Sequence, residues 1–235
     1  MIYHYCSVPV MEKIFCTKEI WLSDITKMNE MSNENLNETF KILIGCFSKN
    51  GDLKSQWSEY ADQAQGVSIG FNEEKIKQFN LFNRFTENGF EPISNKVQFI
   101  KVNYNESILR EYAKAIVEHY IQSDSIIKWQ LLARNLMHLS ISYKDSFFIE
   151  EDEIRAVITT EERHDDKYLI EKRSTNYGNA DYHRLNTSYQ NFSSIEEVII
   201  GPKSVLSITD VEQKLKKAGI TEVKVKQSVA TGKYR

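Results

Sequence analysis

An acidic run, Glu150-Glu151-Asp152-Glu153, stands directly before Ile154-Arg155. In an extended strand, a spacing of two puts Glu151, Glu153 and Arg155 on one face, where the guanidinium holds a neighbouring carboxylate ionised. A fixed carboxylate of this kind stabilises positive charge developing on a sugar carbon during glycoside-type cleavage. Joined by Asp145 and Lys144, the same two glutamates also form part of a metal-dependent nuclease constellation. Two aromatic features accompany them: His4 between Tyr3 and Tyr5, and the sequence Trp57-x-x-Tyr60-Ala61. Each has a plainer reading. His4 lies in an apolar segment and suits a core histidine, Trp57 and Tyr60 suit core packing, and Glu153 with Arg155 suits an ion pair at the start of a strand.

These residues must be positioned by the elements around them. Ile2 to Tyr5 favours a strand, and Ser7 with Pro9 starts a helix. Ile20-Trp21-Leu22 reads as a second strand, and the asparagines at 29, 33, 35 and 37 mark a loop. Phe40 to Phe47 is an apolar run of strand length, closed by the turn Lys49-Asn50-Gly51-Asp52. From Ser55 to Ala64, the residues Trp57, Tyr60, Ala61 and Ala64 recur on one helical face, and Gly66 to Phe71 then reads as a buried strand. Asn72 caps the next helix, and Val97 to Val102 is a further strand. Helical periodicity covers Glu106 to about Tyr143, with a break and a new cap near Ser123-Asp124-Ser125. Phe147 to Ile158 is β-like, 160–190 reads largely as polar loop, and Val198-Ile199-Ile200 is a strand that stops at Gly201-Pro202. Thr209 with Glu212 is a candidate capping box for a last helix through Ala218, ahead of Val223 to Val225. Strands and helices mix without regular alternation. The expected fold is α+β, a single domain over 1–235 with a mixed, mostly antiparallel sheet and a central helical segment.

Composition narrows the function. Of 235 residues, 41% are apolar and 27% charged, enough apolar side chain for a sizeable core. The formal net charge is −3 with the signs interleaved, which argues against a broad nucleic-acid groove. Cys6, Cys16 and Cys46 are odd in number and form no CxxC pair, so reduced thiols in a cytosol fit best. No window approaches the run of about 20 apolar residues that a membrane helix needs, and the start of the chain lacks an export signal. Gly66-x-x-x-Gly70 lies within a strand and GxxxxGK[ST] is absent, which disfavours the common dinucleotide and P-loop sites.

Taken in order, Tyr3-His4-Tyr5, Asn29-Glu30, Trp57-x-x-Tyr60-Ala61 before Gly66-Val67-x-Ile69-Gly70-Phe71, Glu151-x-Glu153-x-Arg155 and Ile199-Ile200-Gly201-Pro202 resemble the bacterial family catalogued as domain of unknown function 2971. The Asn-Asp-Pro of that family is replaced here by Asn29-Glu30-Met31. The order histidine, aromatic, glutamate is also similar to the His-Tyr-Glu arrangement of ADP-ribosyltransferases. That resemblance implies NAD as substrate. Glu153, with Glu151, would face the ribose carbon, His4 would hold the ribose, Tyr60 with Trp57 would offer rings to the nicotinamide, and Arg155 would hold the acid ionised. It further implies a protein or nucleic-acid target, or NAD hydrolysis, in a toxin or phage-defence setting with a partner or inhibitor protein. This reading requires His4, Tyr60 and Glu153 to converge on one cleft. The alternatives are a non-catalytic sensor or interaction domain, and the nuclease.

Overall fold

The computed structural model describes residues 1–25, 40–80, 83–86, 89–92, 97–161, 170–175 and 178–233. The chain opens with strand β1 (Ile2–Cys6), helix α1 (Val8–Thr17) and strand β2 (Glu19–Asp24), and β3 (Phe40–Ser48) follows. Helix α2 (Lys54–Tyr60), strand β4 (Val67–Phe71) and helix α3 (Glu73–Phe79) come next, then β5 (Asn83–Thr86), β6 (Gly89–Pro92) and β7 (Gln98–Lys101). Two longer helices, α4 (Glu106–Ile121) and α5 (Lys128–Ile141), form a hairpin, and a 3-10 helix (Ser146–Glu151) leads into β8 (Glu153–Glu161). The last part holds β9 (Glu171–Thr175), β10 (Gly178–Asn186), β11 (Ser188–Tyr189), β12 (Phe192–Ser193), β13 (Ile195–Ile200), α6 (Ile208–Lys217) and β14 (Lys224–Gln227).

Ten of these strands make one sheet with the path β14-β13-β4-β1-β3-β2-β10-β9, to which β8 is added on β3 and β7 on β8. The β13–β14 pair is parallel and the rest are antiparallel. The fold is therefore α+β with a mixed, mostly antiparallel sheet, as the patterning implied. The sheet forks at β3. Strand β8 pairs with one edge of β3 along its whole length, so β1 (at Tyr3↔Ser48) and β2 (at Ser23↔Ile44 and Asp24↔Leu43) share the opposite edge and diverge across Gly45–Phe47.

One face carries the main core, in which Ile2, Leu43, Phe47, Ile69, Phe71, Ile154, Ile158 and Val198 pack under α1 and α6. The other face carries two smaller clusters. Tyr5, Trp57, Ala61, Ala64 and Ile199 form one beneath α2, and Ile42, Ile44, Met137, Ile141 and Val157 form the other beneath the end of α5.

Several boundaries differ from the expectation, for local reasons. The helix after Ser55 ends at Tyr60, because Asp62, Gln63 and Ala64 take left-handed backbone, with φ of 51°, 52° and 74°. Ala61 and Ala64 are buried in this turn, while Tyr60 points outward and is 50% exposed. Gly66 is required there, since a Cβ would stand 2.1 Å from the Cys6 carbonyl oxygen. The β-like stretch from Phe147 instead begins as a 3-10 helix, which Asp145 caps by accepting the Phe147 N–H, and the strand starts at Glu153. The expected loop over 160–190 contains the β9–β10 hairpin. Helix α5 starts at Lys128 without a side-chain cap, and the last helix is capped by a Ser207–Asp210 box rather than by Thr209 and Glu212. Asn29-Glu30 lies outside the described residues.

Candidate functional site

The expected acidic face exists, but its geometry is that of a closed charge cluster. Glu151 ends the 3-10 helix and Glu153 begins β8, with Asp152 in left-handed backbone (φ 42°) between them. The two carboxylates therefore do not share a strand. They meet because Lys144 lies between them, its Nζ 2.8 Å from Glu151 Oε2 and 3.2 Å from Glu153 Oε2. Arg155 projects from the same face of β8 as Glu153, and its Nε donates to Glu153 Oε1 at 2.8 Å. A second guanidinium nitrogen of Arg155 donates to the Ile141 carbonyl at the end of α5, at 3.1 Å. The Tyr104 hydroxyl accepts the Glu153 backbone N–H at 2.9 Å, and the Cys46 thiol hydrogen-bonds the Glu153 carboxylate.

Two acids and two bases thus neutralise one another in a region from which water is largely excluded. Glu153 is 4% exposed, and Lys144, Glu151 and Arg155 are also buried. Burial raises the Glu153 carboxyl, but the hydrogen bond and charge of Arg155, helped by Lys144, outweigh it and hold the group below its ordinary value of 4.5. The Cys46 thiol is pushed well above its ordinary value, first by burial and then by the adjacent Glu153 charge, so it is a poor nucleophile at neutral pH.

Tyr60 approaches this cluster from α2. Burial and then the Glu151 charge push its phenol up to about 12, with Lys144 acting in the opposite direction. Tyr60 is half exposed at the end of α2, and α2 contacts the 3-10 helix whose last residue, Glu151, is buried. Trp57, by contrast, is enclosed. It is 1% exposed, packs edge-on to Tyr5 with ring centroids 4.9 Å apart, and its indole N–H donates to Asp52 at 2.7 Å.

His4 stands elsewhere. Tyr3 pairs with Ser48 and Ser48 with Glu153, so these three share a face of the sheet, and by alternation His4 points to the other. Its ring lies 5.8 Å from that of Phe47, in the main core, and its Nδ1 contacts the Cys46 carbonyl at 3.3 Å. Burial lowers its pKa, against the effect of that hydrogen bond. His4 contacts β3 at the fork, where among the described residues neither β1 nor β2 pairs with Gly45–Phe47. The structure thus joins Glu151, Glu153 and Arg155, sets Tyr60 on the helix that packs against the 3-10 helix, and leaves His4 and Trp57 outside.

Two residues of the cluster, Cys46 and Tyr104, were not anticipated, and Lys144, grouped with the two glutamates in the nuclease reading, instead links them as an ion-pair partner. Their separation in sequence hides them, and only the β3–β8 register (Cys46↔Arg155) and the bridge Asn103↔Tyr143 bring them together. Beyond Tyr104 a cleft of about 800 Å³ opens between the start of α4 and the 3-10 helix, lined by Asn103, Asn105, Ser107, Tyr143 and Asp145. Neither acid of the cluster lines it.

Residues 56–156 match the family described as Protein of unknown function (DUF2971). The resemblance drawn from the motifs holds over this stretch. The matched segment contains the DUF2971 Trp57-x-x-Tyr60-Ala61 and Gly66-to-Phe71 block together with Glu151-x-Glu153-x-Arg155, and so spans both α2 and the charge cluster. No curated protein and no solved structure gives a match.

Proposed function

We propose that this chain is a non-catalytic interaction domain that engages a partner protein through the α4–α5 hairpin. One observation carries the reading: α4 runs for 16 residues with none of them buried, and the distal end of the hairpin presents large apolar side chains to solvent. Ile126 is 99% exposed and Trp129 62%, with Ile121 and Ile127 beside them, also exposed. Scattered single apolar residues on a surface need no explanation, but four gathered at the tip of one projection mark a contact site. Trp is the residue type that most often anchors such contacts.

In this account the charge cluster is a support. Arg155 ties β8 to the last turn of α5, and Lys144 ties the 3-10 helix to β8, so the base of the hairpin is fixed relative to the sheet. The test is a photo-crosslinking residue placed at position 126 in cells. The reading expects one dominant crosslinked protein, lost when Trp129 is changed to Ala and kept when Tyr112, exposed on α4 away from the tip, is changed instead.

A second reading, the ADP-ribosyltransferase-like enzyme with NAD as substrate, draws on the half-exposed Tyr60 at the end of α2, which packs against the 3-10 helix that carries Glu151. It requires Glu153 to give up two cations in favour of a ribose and to act without His4. Nicotinamide release from NAD that falls on Tyr60→Phe would support it. The nuclease reading finds less: Asp145 is used as a helix cap and both glutamates face cations, and among the described residues no three His, Cys, Asp or Glu side chains gather around a metal position.

A further inference from the structure

Helix α5 is apolar on three sides, and two of them are taken. Leu131 and Asn135 face α4, where the Asn135 side-chain amide donates to the Tyr120 hydroxyl at 3.0 Å. Met137 and Ile141 lie roughly 120° away around the helix and are buried against the sheet, in the cluster with Ile42, Ile44 and Val157. Trp129, Leu132, Ala133 and Leu136 form the third side, roughly 110–130° from each of the others. Trp129 and Ala133 are exposed there, and Leu132 and Leu136 are only half-buried.

The spacing of this third row, i, i+3, i+4 and i+7, is that of a helix face that packs on another helix. An apolar stripe left open to solvent marks a contact surface, and its charge pattern indicates the partner. Lys128 and Arg134 are the only Lys, Arg, Asp or Glu residues of α5, and they stand roughly 90° and 150° from the row. The row itself is therefore free of charge. Where a helix pairs with its own copy about a two-fold axis, residues near the axis meet their own type, so a charge there would face a like charge. A foreign partner is commonly selected by complementary charge at the contact. An uncharged row, on a helix whose only charges are both positive and both turned aside, fits the first case.

We infer that α5 pairs antiparallel with α5 of a second copy of this chain, Trp129 of each lying against Leu136 of the other, with the two-fold axis passing between Leu132 and Ala133. The inference rests on the reading of the hairpin as a contact site and names its partner. The small Ala133 side chain beside the axis lets the two helices approach closely. From Trp129 to Leu136 the row is about 10 Å long, so the contact belongs with the smaller specific interfaces, and a dissociation constant of about 10–100 µM is expected. In protein more dilute than this the chain is monomeric, and substitutions in the row leave its folding stability unchanged.

Sedimentation equilibrium of the purified chain over about 5–500 µM reads the association directly, and a monomer–dimer equilibrium is expected. Ala133→Glu and Ala133→Lys are each expected to abolish it, since like charges then meet at the axis, and an equimolar mixture of the two is expected to restore the dimer. Position 133 is exposed and both replacements are good helix formers, so both variants fold. Trp129→Ala is expected to weaken association at least tenfold, and Tyr112→Ala, on α4, to leave it unchanged. The inference is overturned if the chain stays monomeric at about 500 µM, if the dimer persists in Ala133→Glu, or if the mixture of the two charge variants remains monomeric. A monomeric chain whose position 126 still crosslinks to a different protein in cells overturns the second copy alone and leaves the hairpin as a contact site; a monomeric chain that captures nothing overturns both.

Discussion

Changing Glu153 to Gln separates a supporting charge cluster from a catalytic one. The substitution keeps volume and removes one negative charge from a group of two acids and two bases whose side chains are only 4–11% exposed. Removing one partner of a buried ion pair typically costs 3–5 kcal/mol, because the remaining charge is left uncompensated in a region of low dielectric. The lower end applies here. The amide oxygen still accepts from Arg155, and Lys144 keeps Glu151 at 2.8 Å, so a loss of about 3 kcal/mol is expected. For a chain of this size that corresponds to a melting point lowered by roughly 6–12 °C. Urea denaturation followed by far-UV circular dichroism measures it directly. The cycle made from Glu153→Gln and Arg155→Met should be non-additive, the double variant losing less than the two singles together by about 1–3 kcal/mol. A catalytic carboxylate held in an unfavourable setting would behave in the opposite way, and a Glu153→Gln protein as stable as the wild type, or more stable, refutes the reasoning.

The pH dependence has a definite sign. Because the Glu153 carboxyl is held below its ordinary value in the folded protein, its contribution is present above about pH 4.5 and is lost as pH falls through the folded value; an acid titration of stability should therefore be shallower in Glu153→Gln than in the wild type. His4 is depressed by burial, so the unfolded chain takes up its proton first and stability declines as pH falls below 6.5, a decline that His4→Gln should remove. Asp52 accepts from the Trp57 indole at 2.7 Å, the Ser228 hydroxyl at 2.6 Å and the Val229 N–H at 2.8 Å. With bonds to a charged group each worth about 1.5 kcal/mol or more, Asp52→Ala is expected to cost at least about 3 kcal/mol and to expose the segment after Gln227 to proteolysis. Ile126→Ser and Trp129→Ala, at exposed sites, should change urea stability by less than about 0.5 kcal/mol.

The strands were legible where burial writes a clear pattern. Phe40 to Phe47, Gly66 to Phe71 and Val198 to Ile200 read as strands because each is buried on both faces or closed by a firm turn signal. The β9–β10 hairpin was not, since Glu171, Arg173, Arg184 and their neighbours stand on a partly exposed face whose polar side chains resemble those of a loop. Of the site, the identity of the acids and Arg155 could be read from sequence, while their geometry could not. A spacing of two means one face only within a continuous strand, and the left-handed residue Asp152 breaks that continuity. His4 misled for a related reason: a histidine on a first strand is visible in sequence, but the face it occupies depends on the pairing of Tyr3 with Ser48, a contact 45 positions away. Trp57 and Tyr60, three apart, suggested one shared buried face, yet within α2 the indole is buried while the phenol, on the last residue of the helix, is half-exposed.

The central claim, that the chain works by binding through its hairpin rather than by chemistry at Glu153, is tested most directly by crosslinking from position 126 in cells, with Trp129→Ala as the control of equal stability. The account predicts one dominant partner captured by the wild type and lost in Trp129→Ala. A crosslinking pattern that does not change with Trp129, together with Tyr60-dependent release of nicotinamide from NAD, would contradict it.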